Sequence, residues 1–150
     1  MTSEDGKDPI DVEKAVPQLN RALAGQRRSA LQYTLVSGSL TGFEYHALAE
    51  QLWTFARAEL DDLRRLTEKI VVIGGDPTSE VDPFSFDSNP ERAVQSLIDA
   101  ESATIEALQD TIPYTGHTGD SEALEHRLEH MIMRKQEQID TLARARRRPA

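Results

Sequence analysis

The sequence predicts an all-α fold, a four-helix bundle with one long crossover, and three observations carry that expectation. In four separate stretches, apolar residues recur at alternating steps of four and three, the spacing that lines one face of a helix. No stretch of any length alternates apolar and polar residues as a strand would. Between the second and third stretches lies DPTSEVDPFSFDSN (76–89), rich in Pro, Ser and Asp. Two parallel neighbours in a bundle need a long connection, and this one has the length.

The elements follow in order. Residues from Met1 to about Val12 are polar, acidic and without period, and read as a mobile arm. This places a disordered acidic arm at 1–15, the bundle at 16–143 and a basic tail at 144–150. Val16-Pro17 opens the first helix, with Pro near the first turn where its missing N–H does no harm. Leu19, Leu23, Gln26, Ala30, Tyr33 and Ser37 form its inner stripe to about Ser39, and Thr41-Gly42 makes a short turn. The second helix, Ala47 to Gly75, is the stretch around which the others are organised. Its stripe is Leu48, Leu52, Phe55, Glu59, Asp62, Leu66, Lys69 and Ile73, and it stops at Gly74-Gly75 before Pro77.

Asn89-Pro90-Glu91 starts the third helix, with Asn89 as N-cap and Pro90 in the first position. Val94, Leu97, Glu101, Thr104 and Leu108 are its stripe, flanked by Ile98, Ile105 and Ile112, and Pro113 closes it. Asp120 or Ser121 is expected to cap the fourth helix, whose stripe is Leu124, Leu128, Met131, Lys135, Gln138 and Leu142. Pro149 forbids much further helix, so no fifth is expected.

Composition narrows the function. The chain has 150 residues, one domain's worth and enough to bury a core. A net charge of −9 argues against broad nucleic-acid binding. With no cysteine, disulfides, thiolate metal sites and cysteine nucleophiles are excluded, which fits a cytoplasmic protein. No run approaches the roughly 18 apolar residues of a membrane span, and the polar first fifteen residues are not expected to be a secretory signal. No Ser/His/Asp set or Gly-rich phosphate loop competes for the chemistry.

Set side by side, the four stripes make one polar layer of Gln26, Glu59, Asp62, Glu101, Lys135 and Gln138. Any one of these is as readily a surface residue leaning inward; six at mid-helix are harder to dismiss. A carboxylate facing a core is costly unless paired, protonated or bound to a metal. A glutamate followed three residues later by a second ligand is how di-iron bundles present their metal ligands.

The segments LNRALAGQRRSALQYTLVSG, GFEYHALAEQL and AELDDLRRLTEKIVVIGGDP resemble the first two helices of bacterioferritins and Dps-type proteins, in the ferritin-like superfamily. The resemblance continues more loosely through LIDAESATIEAL and RLEHMIMRKQEQIDTL. It implies a ferritin-like bundle and a function in iron storage or sequestration, with four glutamates and two histidines holding two irons that oxidise Fe(II). Carried over by position, the first-helix glutamate is Gln26, and the second-helix Glu-x-x-His is Glu59 and Asp62. The third-helix glutamate is Glu101, and the fourth-helix Glu-x-x-His is Lys135 and Gln138. A slip of one residue in the fourth helix would give Arg134 and Glu137; the apolar stripe favours Lys135.

Only Glu59 and Glu101 are unchanged, with Asp62 as a shorter ligand, so a working ferroxidase centre is not expected. Three carboxylates and water are enough for a single iron or other divalent cation. Alternatively the Lys135 ammonium stands where a metal would, and the layer is a cofactor-free network that specifies packing. The intersubunit centre of Dps proteins fares no better: its positions fall on Ser37, Ala49, Trp53 and Arg64, and only Glu68 fits. The haem methionine of bacterioferritins corresponds to Leu60, so no haem is expected.

Tyr33 matches a family tyrosine beside the metal and equally serves as a core aromatic bonded to Glu59 or Glu101. Ala49, Trp53, Ala56, Leu60 and Leu63 give the second helix another apolar stripe, which points to a homo-oligomer, a dimer or cage, with Trp53 and Leu60 at the interface. His126 and His130, one turn apart, could chelate a surface metal with Glu129 or His117, exposed histidines being the plainer reading. Arg144, Arg146, Arg147 and Arg148 could touch DNA phosphates as basic Dps tails do, a solvated tail being at least as good an account. Two functions remain open: an iron-handling ferritin-like protein with an altered site, or a metal-free structural or partner-binding module.

Overall fold

A computed structural model describes residues 8–146, and all its regular elements are helical. They are α1 (Val12–Ser39), α2 (His46–Val72), α3 (Pro90–Thr111) and α4 (Gly119–Arg146), with short 3-10 turns at Phe43–Tyr45 and Ile112–Tyr114. Cross-helix pairs fix the directions. Gln26 meets Glu59 and Asn20 meets Asp76, so α1 and α2 are antiparallel. Arg21 reaches Asp110 and Arg28 reaches Ala100, so α1 and α3 are antiparallel too. This leaves α2 and α3 parallel, joined by the crossover at 73–89. No described helix is long and apolar enough to cross a membrane.

The helix starts depart from the expected ones at two points. α1 begins at Val12 because the Asp11 side chain accepts from Lys14 N at 3.3 Å and caps it. Pro17 therefore lies in the second turn, where it forfeits one helical bond at the exposed Glu13. Ahead of the helix, Asp11 N donates to Tyr114 O at 3.0 Å and His117 N to Asp8 O at 2.7 Å. The second half of the expected disordered arm is thus pinned to the α3–α4 connection, and its first seven residues lie outside the described ones. At α4 the cap is Thr118, whose Oγ1 accepts from Ser121 N at 3.3 Å, rather than Asp120 or Ser121. Asn89 caps α3 as expected, accepting from Arg92 N at 2.9 Å, and Gly74 takes φ +91° where α2 ends.

The tail also differs from expectation. α4 continues through Arg144 to Arg146, whose guanidinium bonds Gln95 Oε1. Arg147 and Arg148 lie outside the described residues, and nothing supports a DNA contact by this segment.

The buried stripes form two apolar clusters at opposite ends of the bundle. One gathers Leu19, Leu23, Leu66, Ile70, Leu108, Leu128 and Met131; the other gathers Tyr33, Leu52, Val94, Leu97 and Leu142. The crossover straps the α1–α3 side, with Thr78 N donating to Asn20 Oδ1 at 2.9 Å and Asp82 N to Ala24 O at 3.2 Å. Gly25 lets α3 come close there, since a Cβ on it would stand 2.6 Å from Thr104 Oγ1.

Candidate site: a buried lysine and carboxylate network

Between the two apolar clusters lies a polar layer contributed by all four helices. Gln26 on α1, Glu59 on α2, Glu101 on α3, and Lys135 and Gln138 on α4 are all buried, none more than 3 % exposed. Each sits on its helix's inward stripe, so the spacing that buries the leucines buries these polar groups as well.

The geometry is a pair of carboxylates bridged twice. Lys135 Nζ donates to Glu59 Oε2 at 2.7 Å and to Glu101 Oε1 at 3.0 Å. Gln138 Nε2 donates at 2.7 Å to both Glu59 Oε1 and Glu101 Oε2. Gln26 Nε2 bonds Glu59 Oε2 and also donates to its backbone oxygen at 2.9 Å. Tyr33 closes one side, its Oη 3.5 Å from Gln138 Nε2 and its ring edge-on to Phe55.

Burial and neighbouring charge set the protonation. Burial, reinforced by the Glu59 charge, pushes the Glu101 carboxyl up to about 8. Burial would raise Glu59 too, but the Lys135 ammonium and hydrogen bonds from Glu101, Lys135 and Gln138 hold it below the usual range. Lys135 is opposed by burial and held above its ordinary value by Glu101 and Glu59. Burial and then the Glu101 and Glu59 charges raise the Tyr33 phenol well above its usual value, keeping its proton on. Near pH 7 the layer therefore holds one ammonium, one carboxylate and one carboxylic acid, which sum to zero.

Asp62 stands apart from this group. It is buried one turn beyond Glu59, but its ion-pair partner is Arg134, 3.5 Å from Oδ2, and neither carboxylate oxygen accepts a hydrogen bond. Burial raises its pKa, with Arg134 opposing. Among the described residues, no three His, Cys, Asp or Glu side chains converge as a metal would require. Lys135 and Gln138 point inward while Glu137 is exposed and Arg134 is half-buried, so the first of the two α4 registers is the one the fold takes.

This donor set does not fit a pair of metal ions. A protonated lysine cannot ligate, and its Nζ already stands between the two carboxylates that would have to share the metals. Leu60, at the position of the family's haem methionine, carries no sulfur and is exposed. Trp53 is also exposed, and its ring receives the Arg57 guanidinium at 5.7 Å. His126 and His130 line a groove with Arg65, Lys69 and Arg127, away from His117, which belongs to the α1 end of the α3–α4 connection. That basic groove was not legible as a unit in the sequence, because its residues come from two helices far apart in the chain.

The likeness to known structures is extensive. A ferritin-like, diiron-carboxylate protein from Bacillus anthracis str. Ames is 21% identical, with TM-score 0.84, over 91% of this chain and 98% of that one. The bacterioferritin-related dodecameric thioferritin of Bacteroides fragilis is 19% identical, with TM-score 0.77, over 91% and 86%. The bacterioferritin of Rhodobacter capsulatus, described with a metal-free dinuclear site and haem iron, is 15% identical, with TM-score 0.78, over 95% and 84%. At such identities these structures speak for the fold. A search of curated proteins finds no match. The model of the ferritin-like domain, however, matches residues 16–148, nearly the whole bundle, and the chain belongs to that family.

Proposed function

We propose that this chain is a ferritin-like subunit of the iron storage and sequestration class that lacks a working ferroxidase centre of its own. The observation that carries the reading is the position of Lys135 Nζ, within 3.0 Å of both Glu59 and Glu101. Its ammonium and the Gln138 amide make the bridging contacts that cations would otherwise make, and Gln26 also bonds Glu59 Oε2, beside Lys135. Family membership and the names of the similar structures support the iron-related class. A single divalent cation would have to displace the Lys135 ammonium, so we expect none at the layer in the native chain.

Self-association belongs to the same proposal. Trp53 and Leu60, with Leu31 on the neighbouring helix, are 42%, 59% and 48% exposed, an apolar face that a second copy would cover. The cysteine-free composition supports a cytoplasmic place of action.

The test is aerobic Fe(II) oxidation by the purified protein, together with its metal content. Oxidation no faster than a metal-free protein background is expected. Fast oxidation with about two irons per chain, as di-iron bundles hold, would overturn the reading. The completeness of the network without any cofactor favours a second reading, a metal-free structural or partner-binding module. Iron uptake into a large assembly separates the two, since a storage subunit accumulates iron and a bare module does not.

A further inference from the structure

A second polar feature lies outside the layer and owes nothing to it. α2 and α4 pack less closely than the other neighbouring helices, and between them runs a groove of about 700 Å³. Its walls are Arg65 and Lys69 from α2, and His126, Arg127 and His130 from α4, with one carboxylate, Glu122. Three permanent cations against one anion is the reverse of the chain's overall balance, a net charge of −9. Among the described residues, none of Arg65, Lys69 and Arg127 is in an ion pair, although Arg64, Arg92 and Arg134 all are. His130 Nδ1 is buried and has no hydrogen-bond partner. One turn beyond His130, Arg134 pairs with Asp62, which also feels the Arg65 charge and so offsets only part of the groove's positive charge.

We propose that this groove binds a small oxyanion carrying two or more linked phosphate groups. Like charges held together with too few counter-charges repel one another, and a polyvalent anion relieves that repulsion while accepting the unpaired N–H donors. Arg65 and Lys69 are one turn apart, as are His126 and His130, about 6 Å along each helix. One phosphate spans a single turn, whereas a di- or triphosphate reaches both. No Phe, Tyr or Trp lines the groove to stack a nucleobase, so recognition rests mainly on the phosphates.

Isothermal titration calorimetry of the full chain tests this with inorganic phosphate, inorganic tripolyphosphate and a nucleoside triphosphate. Tripolyphosphate should bind saturably at one site per chain, more tightly than phosphate and about as tightly as the nucleotide. Added salt should weaken it, as the contacts are partly exposed. Arg65→Ala and Arg127→Ala should each weaken tripolyphosphate about tenfold, the worth of one charge-assisted hydrogen bond. Arg64→Ala removes the same charge from the adjacent residue, which is paired with Glu68 and points elsewhere; it should change nothing. Circular dichroism of each variant confirms the fold. No saturable binding, or an equal loss in Arg64→Ala, would overturn the proposal. A nucleotide that binds much more tightly than tripolyphosphate would overturn the assignment to phosphates alone.

Discussion

Lys135 on α4 donates at 2.7 Å to Glu59 on α2, and neither side chain is more than 1% exposed. A buried pair like this contributes little by its presence, because desolvation offsets most of the attraction, but breaking it is costly. The Gln138 amide satisfies the two carboxylate oxygens that Lys135 does not reach, and the Gln26 amide shares Glu59 Oε2 with Lys135.

Lys135→Met keeps the stem volume and leaves Glu59 and Glu101 facing one another. Removing one partner from a desolvated pair costs roughly 3–5 kcal/mol, so Tm near neutral pH should fall sharply. Acid, by protonating the Glu59 carboxylate left unpaired, or Mn(II), by replacing the lost charge, should restore part of it. Lys135→Glu should go further and make folding depend on a divalent cation. Thermal melts with and without Mn(II) decide this, and a Lys135→Met variant that melts like wild type would contradict the network.

The layer also predicts how stability follows pH. Glu101 keeps its proton to about 8 when folded but ionises near its ordinary 4.5 when unfolded. Across that window the folded chain binds the extra proton, so stability falls as pH rises. Asp62, raised from 3.8, adds to the decline above that value. Glu59, held low, acts the other way, its contribution being lost only as pH falls below 4.5. Tm should therefore be higher at about pH 5.5 than at about pH 8, and Glu101→Gln should flatten most of the difference. Identical melting at both values in the wild type would show that Glu101 is ionised throughout.

Assembly can be read from one residue. Trp53→Asp places a charge in the apolar face of α2 and should lower the solution mass, because an unpaired charge in a desolvated contact is strongly unfavourable. Sedimentation of wild type and variant gives the answer, and a wild type that runs as a monomer at micromolar concentration refutes the interface.

Gly25→Ala should destabilise by about 1–3 kcal/mol, the usual range for overpacking. The added Cβ would stand 2.6 Å from Thr104 Oγ1, and α1 and α3 would have to part. Chemical denaturation measures it; a neutral result would mean that Thr104 simply rotates away.

The sequence by itself determined the four helices, the long crossover and most of the side chains that face inward. All of these follow from the 3.6-residue period acting on local spacing, and Gln26, Glu59, Glu101, Lys135 and Gln138 were legible for that reason. Lys69 is an exception: placed on the inner α2 stripe, it lines the groove, and Ile70 and Ala56 are buried instead. The caps at Asp11 and Thr118 were harder to read, because other polar residues close by could serve as well. Only the tertiary structure decided the pairing. Asp62 lies on the same stripe as Glu59, yet it meets Arg134 instead of joining the layer. Likewise Arg65, Lys69, His126, Arg127 and His130 become one groove only once α2 and α4 lie side by side. Spacing along one helix fixes the direction of a side chain about that helix's own axis. How far apart two helices stand, and how each is rotated against the other, depends on packing across the whole core.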